Sequence, residues 1–292
     1  MAVLPTLGGN NGAASDINDR GQIVGIAENT TRDLTCVDVG PPFNQVDQIE
    51  EKPVLWQGGI IKELPTYSGD PDGGANALNE SGWLVGNSGK CSKGPDYSLH
   101  ALLWHDGALV ELGNLGGTLF SFAGAINNRN QIVGASNLSG DATFHAFLWT
   151  NDAGMQDLGT LPGDSSSLAR GINDKGQVIG QSCDVSGNCR AFLWQNGVMI
   201  DLNNLVPSGG STLFLFEAFG INSSGQIAVG GFDANTGDCC AFLATPAFGS
   251  APLGGTITGS GIRDTSVIPD AVRRFMNQAT SRPRAFGRRN WR

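Results

Sequence analysis

The chain has 292 residues, 40% of them hydrophobic and 15% charged, enough to bury one large core and too apolar for a chain disordered throughout. Its formal charge of −9 is unevenly placed: residues 1–245 carry 25 acidic and 10 basic side chains, residues 246–292 carry 2 and 8. An acidic body repels phosphate backbones, which argues against nucleic acid as a partner, and no run reaches the ~20 apolar residues of a membrane span.

No basic start leads into an apolar run of the signal-peptide kind, so the chain reads as cytosolic or as one whose signal has been removed. Forty-three Gly, with Asn and Ser crowded between short apolar runs, predict many strands joined by tight turns. Of six cysteines, Cys183 and Cys189 bracket Asp-Val-Ser-Gly-Asn, a spacing suited to a disulfide across a hairpin loop. Oxidation favours export, to an extracellular or periplasmic location, over metal binding. Cys36, Cys91, Cys239 and Cys240 cannot be paired from sequence.

In chain order, an Ile-Asn or Leu-Asn pair recurs at Asn18, Asn79, Asn127, Asn173 and Asn222, and a closing Trp at Trp56, Trp104, Trp149 and Trp194. Each unit reads as four strands. The first carries small residues (Ala14, Ala75, Ala123, Ala169, Ala218) and ends on the Asn turn, in which Asn bonds the backbone ahead of it and Gly takes positive φ. The second is Gln22-Ile-Val-Gly25 and its counterparts, lengthened by one residue at Gln226–Gly230, where a bulge is expected. The third is Ala-Phe-Leu-Trp, and the fourth ends on Glu63, Glu111, Asp157 or Asp201 followed by Leu, read as a solvated outer edge.

A period of 45 to 50 residues in an all-β chain predicts a five-bladed β-propeller with four strands per blade, over residues 8–64, 65–112, 113–158, 159–202 and 203–246. The fifth unit lacks its last strand. Leu4-Pro-Thr-Leu7 aligns with Leu64-Pro-Thr-Tyr67, so residues 1–7 are expected to complete the last blade and close the ring. Residues 247–292 form a linker, a short helix around Ile268–Met276 and a basic tail able to dock on the acidic body or on an anionic surface.

Gly171-Ile-Asn-Asp-Lys-Gly-Gln-Val-Ile-Gly-Gln-Ser182, His145-Ala-Phe147 with Leu148-Trp149, and Met155 to Leu161 together resemble the HAF-repeat family of bacterial extracellular proteins, across residues 1–245. The units depart from His-Ala-Phe at Lys52, Arg190 and Cys240, at Pro53, and at Val54 and Leu102. The resemblance implies export and a propeller-like shape, and it carries over no catalytic residues. His100 and His145 read as packing at a strand start.

Ligands of ringed repeats meet loops gathered at one end, here the varied connections from fourth to first strands. Asp16, Asn76, Arg170 and Glu217 place polar groups in or beside the innermost strands. Ring closure would bring Asp16 and Glu217 into adjacent blades as the carboxylate pair that glycoside hydrolysis needs, with Arg170 orienting the substrate. Asn76, Arg170, Glu217, Trp83, Phe120 and Asp164 are the candidate ligand contacts, and Trp83 with Tyr67, Phe120, Phe122 and Phe214 a candidate aromatic platform. No cofactor is indicated, although Asp70 and Asp72 offer oxygen ligands for Ca²⁺ without the full series of a calcium loop. Three readings follow: binding of a glycan or other small ligand at one end of the ring, a glycan-active hydrolase or lyase there, and a structural or adhesive module.

Overall fold

The computed structural model describes residues 3–33, 49–90, 98–205 and 212–245; Cys36, Cys91 and the predicted C-terminal helix lie outside them. The first unit contains β1 (Gly12–Ile17), β2 (Ile23–Arg32), β3 (Ile49–Gln57) and β4 (Ile60–Glu63). The second contains β5 (Asp72–Leu78), β6 (Leu84–Gly89), β7 (Leu99–His105) and β8 (Ala108–Glu111), and the third β9 (Gly116–Ile126), β10 (Ile132–Leu138), β11 (Phe144–Thr150) and β12 (Gly154–Asp157). The fourth contains β13 (Ser166–Ile172), β14 (Val178–Cys183), β15 (Cys189–Gln195) and β16 (Val198–Asp201), followed by a 3-10 turn at Leu202–Leu205. The fifth has β17 (Leu213–Ile221), β18 (Ile227–Asp233) and β19 (Cys239–Ala244).

Within each unit the strands pair antiparallel in chain order. The strands of the middle units are buried on both faces because each is packed between neighbours: all of β6 and all of β14 are buried, including the polar Asn87, Ser88, Gln181 and Ser182. Apolar clusters fill the spaces between successive sheets, as where Val85, Ala101 and Leu103 of the second unit meet Ile126, Ile132, Phe147 and Trp149 of the third.

The predicted ring of five four-stranded blades is not what forms. The strands make sheets of four, eight, four and three strands. Units two and three merge because the long β9 reaches a parallel bridge with β7, Phe120 to Leu99. Nor, among the described residues, does the N-terminal segment complete the last sheet, which has three strands there. Leu4 and Leu7 pack instead on Ala27, Val54 and Trp56 of the first sheet, and the Trp56 indole donates to the Pro5 carbonyl at 2.8 Å.

The physical reason appears in the second unit, where Trp104 donates to the Pro65 carbonyl at 2.7 Å. The recurring Leu-Pro segment satisfies the buried indole of the sheet that follows it, so its alignment at the N-terminus marks attachment to the first sheet. The inner strands β1, β5, β9, β13 and β17 lie in series, each packed beside the next. Among the described residues no comparable packing joins the first sheet to the last.

Candidate functional site

Each inner strand carries a one-residue bulge at the same place. Pairing skips Ser15, Asn76, Gly124 and Arg170 in the first four units, and the longer β18 is matched by two skips in β17, at Phe216 and Phe219. The bulge presses its backbone against the second strand. This is why that strand carries Gly there: a Cβ on Gly86 would collide with the Gly74 carbonyl, and one on Gly180 with that of Leu168.

At two of these bulges the side chain reaches the next inner strand. Asn76 Nδ2 donates to the Ala123 carbonyl at 2.8 Å and to Asn87 Oδ1 at 2.9 Å. Arg170 Nε donates to Glu217 Oε1 at 2.6 Å. Asp16 Oδ2, next to the first bulge, accepts the Leu78 amide at 3.1 Å. The structure thus brings Arg170 and Glu217 together and leaves Asp16 in the first sheet, separated from Glu217 by the series of inner strands.

At the far end of the inner strands the Asn turns form a ladder. Asn18 Nδ2 donates to the Asn79 carbonyl at 3.2 Å, Asn79 to that of Asn127 at 3.1 Å, Asn127 to Asn173 at 2.9 Å and Asn173 to Asn222 at 3.0 Å. Each Asn Oδ1 also accepts two amides of its own turn, as Asn127 does from Arg129 and Gln131. The Gly that closes the turn takes positive φ at Gly21, Gly82, Gly176 and Gly225, and Asn130, at φ 60°, takes that role in the third unit.

A second, outer ladder runs beside the first. Glu80 Oε1 accepts the Asp19 amide at 3.0 Å, Asn128 Oδ1 accepts the Glu80 amide at 3.0 Å, and Asp174 Oδ1 accepts the Asn128 amide at 2.8 Å. Asn79, Glu80, Asn127, Asn128, Asn173 and Asp174 surround a shallow recess of about 200 Å³ floored by Leu78, Ile126, Ile172 and Ile221. The rim is rich in acceptors and acidic. It suits a neutral ligand rich in hydroxyl donors or a cationic one.

The end where the sequence placed the ligand loops is filled by ion pairs. Asp70 Oδ2 accepts Ser88 Oγ at 2.6 Å and lies 2.9 Å from His100 Nδ1, a bond that holds the His100 pKa above its ordinary value. Asp164 occupies the matching place in the fourth unit, 2.8 Å from Arg190, whose other nitrogen reaches Asp201 at 3.0 Å. Burial pushes the Asp164 carboxyl up although the Arg190 bond pulls it down. His145 pairs with Asp157 at 2.9 Å, and Lys52 with Glu50 at 2.8 Å. The first residue of the His-Ala-Phe position is therefore a nitrogen-bearing side chain paired with a carboxylate in four units. His100 and His145 are carboxylate partners in addition to strand-start residues, and Asp157 and Asp201 belong to these pairs.

Asp70 and Asp72 take separate partners: Asp72 Oδ1 accepts the Glu51 amide at 2.9 Å. Burial first, then the charge and hydrogen bond of Asp33, push the Asp72 carboxyl up to about 8 against that amide. Among the described residues no three His, Cys, Asp or Glu side chains are grouped to hold a metal. The aromatic residues occupy four separate places: Trp83 lies 4.6 Å from His105, Tyr67 4.3 Å from His100, Phe120 6.4 Å from Phe122, and Phe214 5.2 Å from Phe232. Cys183 and Cys189 form the expected disulfide, while the Cys239 thiol is free and exposed. Among the described residues no helix is long and apolar enough to cross a membrane.

The recess residues escaped sequence reasoning because the Asn turn reads as pure architecture. The available signal was the acceptor that follows the Asn in each unit: Asp19, Glu80, Asn128, Asp174 and Ser223.

No known protein family matches the sequence, and no curated protein does. The chain is similar to the solved acylaminoacyl peptidase of Pyrococcus horikoshii, at 14% identity and a TM-score of 0.43 over 76% of this chain and 34% of that one. It is similar also to dipeptidyl peptidase 4 of Porphyromonas gingivalis, at 11% identity and a TM-score of 0.44 over 75% of this chain and 35% of that one. The chain spans about a third of the length of either structure. Similarity at this level carries no activity across. What the strands define is the class: an all-β protein of serially packed repeat sheets.

Proposed function

We propose that the chain is an exported binding module that takes a hydroxyl-rich neutral ligand, a glycan, in the recess at the Asn-turn end of its inner strands. The observation that carries this reading is the double ladder: Asn79, Asn127 and Asn173 fix the turns while Glu80, Asn128 and Asp174 present acceptors around one opening. Acceptors held by backbone contacts are ordered before a ligand arrives, so sugar hydroxyls meet them at low entropic cost. Export is supported by the Cys183–Cys189 disulfide and by the resemblance to HAF-repeat extracellular proteins.

The test is a glycan array probed with the chain, followed by calorimetric titration of any hit against Asp174→Asn and Glu80→Gln. Binding should weaken about tenfold in each variant, the loss of one charge-assisted hydrogen bond. A blank array, or hits that neither variant weakens, sinks the reading.

A further inference from the structure

The two ends of the sheet series carry complementary halves of the interface that recurs inside the chain. Inside, an apolar residue before the Asn turn is covered by the preceding sheet: Leu78, Ile126 and Ile172 are each buried. The same position in the first sheet is Ile17, which is 62% exposed. Inside, the Leu before the Trp of the third strand is covered by the following sheet, as at Leu103, Leu148 and Leu193. In the last sheet it is Leu243, which is 65% exposed, beside an exposed Ala228 and a half-exposed Phe219.

The polar ladder is cut in the same sense. Each carbonyl at a rung within the chain accepts twice, as Asn79 does from Gly82 and from Asn18 Nδ2. Among the described residues the Asn18 carbonyl accepts from Gly21 alone, and Asn222 Nδ2 donates to Gln226 alone. One end of the series therefore holds a spare donor above an apolar face, and the other a spare acceptor above the face that matches it.

We propose that this chain associates head to tail with a second copy, the β17–β19 sheet of one copy packing on the β1 side of the first sheet of the next. Leu243 and Ala228 would then meet Ile17 as Leu103 meets Ile126, and Asn222 Nδ2 would reach the Asn18 carbonyl of the neighbour. Such an interface is heterologous, so each addition leaves a fresh donor face and a fresh acceptor face, and growth does not stop at two copies. The proposal does not rest on the ligand reading: Ile17, Asn18, Asn222, Ala228 and Leu243 are not among the residues that line the recess, although Ile221 and Ser223 of the last unit are.

Sedimentation velocity of the full chain at increasing concentration tests it. The expected result is a mass that climbs past two copies without a plateau. Ile17→Glu and Leu243→Glu each spoil one face at an exposed position, so both variants should keep the parental melting curve and sediment as single copies. Mixed in equal amounts they should form two-copy complexes and nothing larger, since one intact donor face meets one intact acceptor face. Three results would overturn the proposal: a full chain that stays single at every concentration, as when its own residues 246–292 or an unrelated partner cover these faces; assembly untouched by either substitution; or a limiting dimer that mixing the two variants does not restore.

Discussion

Arg170 Nε donates to Glu217 Oε1 at 2.6 Å, tying the bulge of β13 to the next inner strand. The Glu217 side chain is 3% exposed and that of Arg170 24%, so the carboxylate is the more deeply desolvated partner. Arg170→Met strands that charge and should cost about 3 kcal/mol in urea unfolding, the usual loss on breaking a buried pair. Glu217→Gln leaves a guanidinium that water still reaches and should cost less, and the double variant should recover part of the Arg170→Met loss. Equal and additive costs would show that the two side chains are not coupled.

The Asn ladder makes a graded prediction. Asn127 is buried, accepts from Arg129 and Gln131 and donates to Gln131 and the Asn173 carbonyl, so Asn127→Ala should cost about 2 to 3 kcal/mol. Asn222 makes the same turn but is exposed and, among the described residues, donates to Gln226 alone, and Asn222→Ala should cost about 1 kcal/mol. Chemical unfolding of the two variants side by side checks the order. A reversal would mean that the turn, and not the link between sheets, carries the stability.

How far the fold was legible depended on whether the signal was local. Continuous apolar Ala-Phe-Leu-Trp runs and Asn-x-x-Gly turns have their physical cause within a dozen residues, and nearly all the strands read from them are present. Closure rested on aligning Leu4-Pro5 with Leu64-Pro65, and alignment identifies a repeated segment without saying which sheet it serves. The indoles of Trp56 and Trp104 decide that by taking the Pro5 and Pro65 carbonyls. Arg170 is the one basic residue at the bulge position, where the other units carry Ser15, Asn76, Gly124 and Phe219, yet its partner lies 47 positions away, beyond any periodic signal. Asp16 and Glu217 were grouped only by the assumed closure and separate with it.

The Cys183–Cys189 bridge closes a six-residue separation at the β14–β15 hairpin. Loop-closure entropy for so short a loop gives about 2 kcal/mol, so the Cys183→Ser/Cys189→Ser variant should remain folded with a melting temperature a few degrees lower. Asp184 keeps the loop in shape without the bridge, accepting the Ser186 and Asn188 amides and the Asn188 side chain. Complete unfolding of the variant would show that the bridge organises the unit.

Asp72, Asp164 and His100 all have raised pKa values, so all three make the fold sensitive to rising pH with the same sign. Asp72 binds its proton up to about pH 8 in the folded chain, whereas an unfolded Asp releases it near the ordinary 3.8. Between those values the folded state holds the extra proton, so stability is full below the ordinary carboxyl range and falls as pH climbs towards 8. His100 is held above 6.5 by its bond to Asp70, and its contribution, full below 6.5, is lost as pH rises through the raised value. Melting temperature should therefore decline from pH 5 to pH 9. Asp72→Asn, which keeps the Glu51 amide's acceptor and carries no proton equilibrium, should flatten the decline below pH 8, and His100→Gln should remove only the part near neutrality. A parental curve that is flat or rises over this range would mean that Asp72 is ionised in the folded chain and compensated by another group.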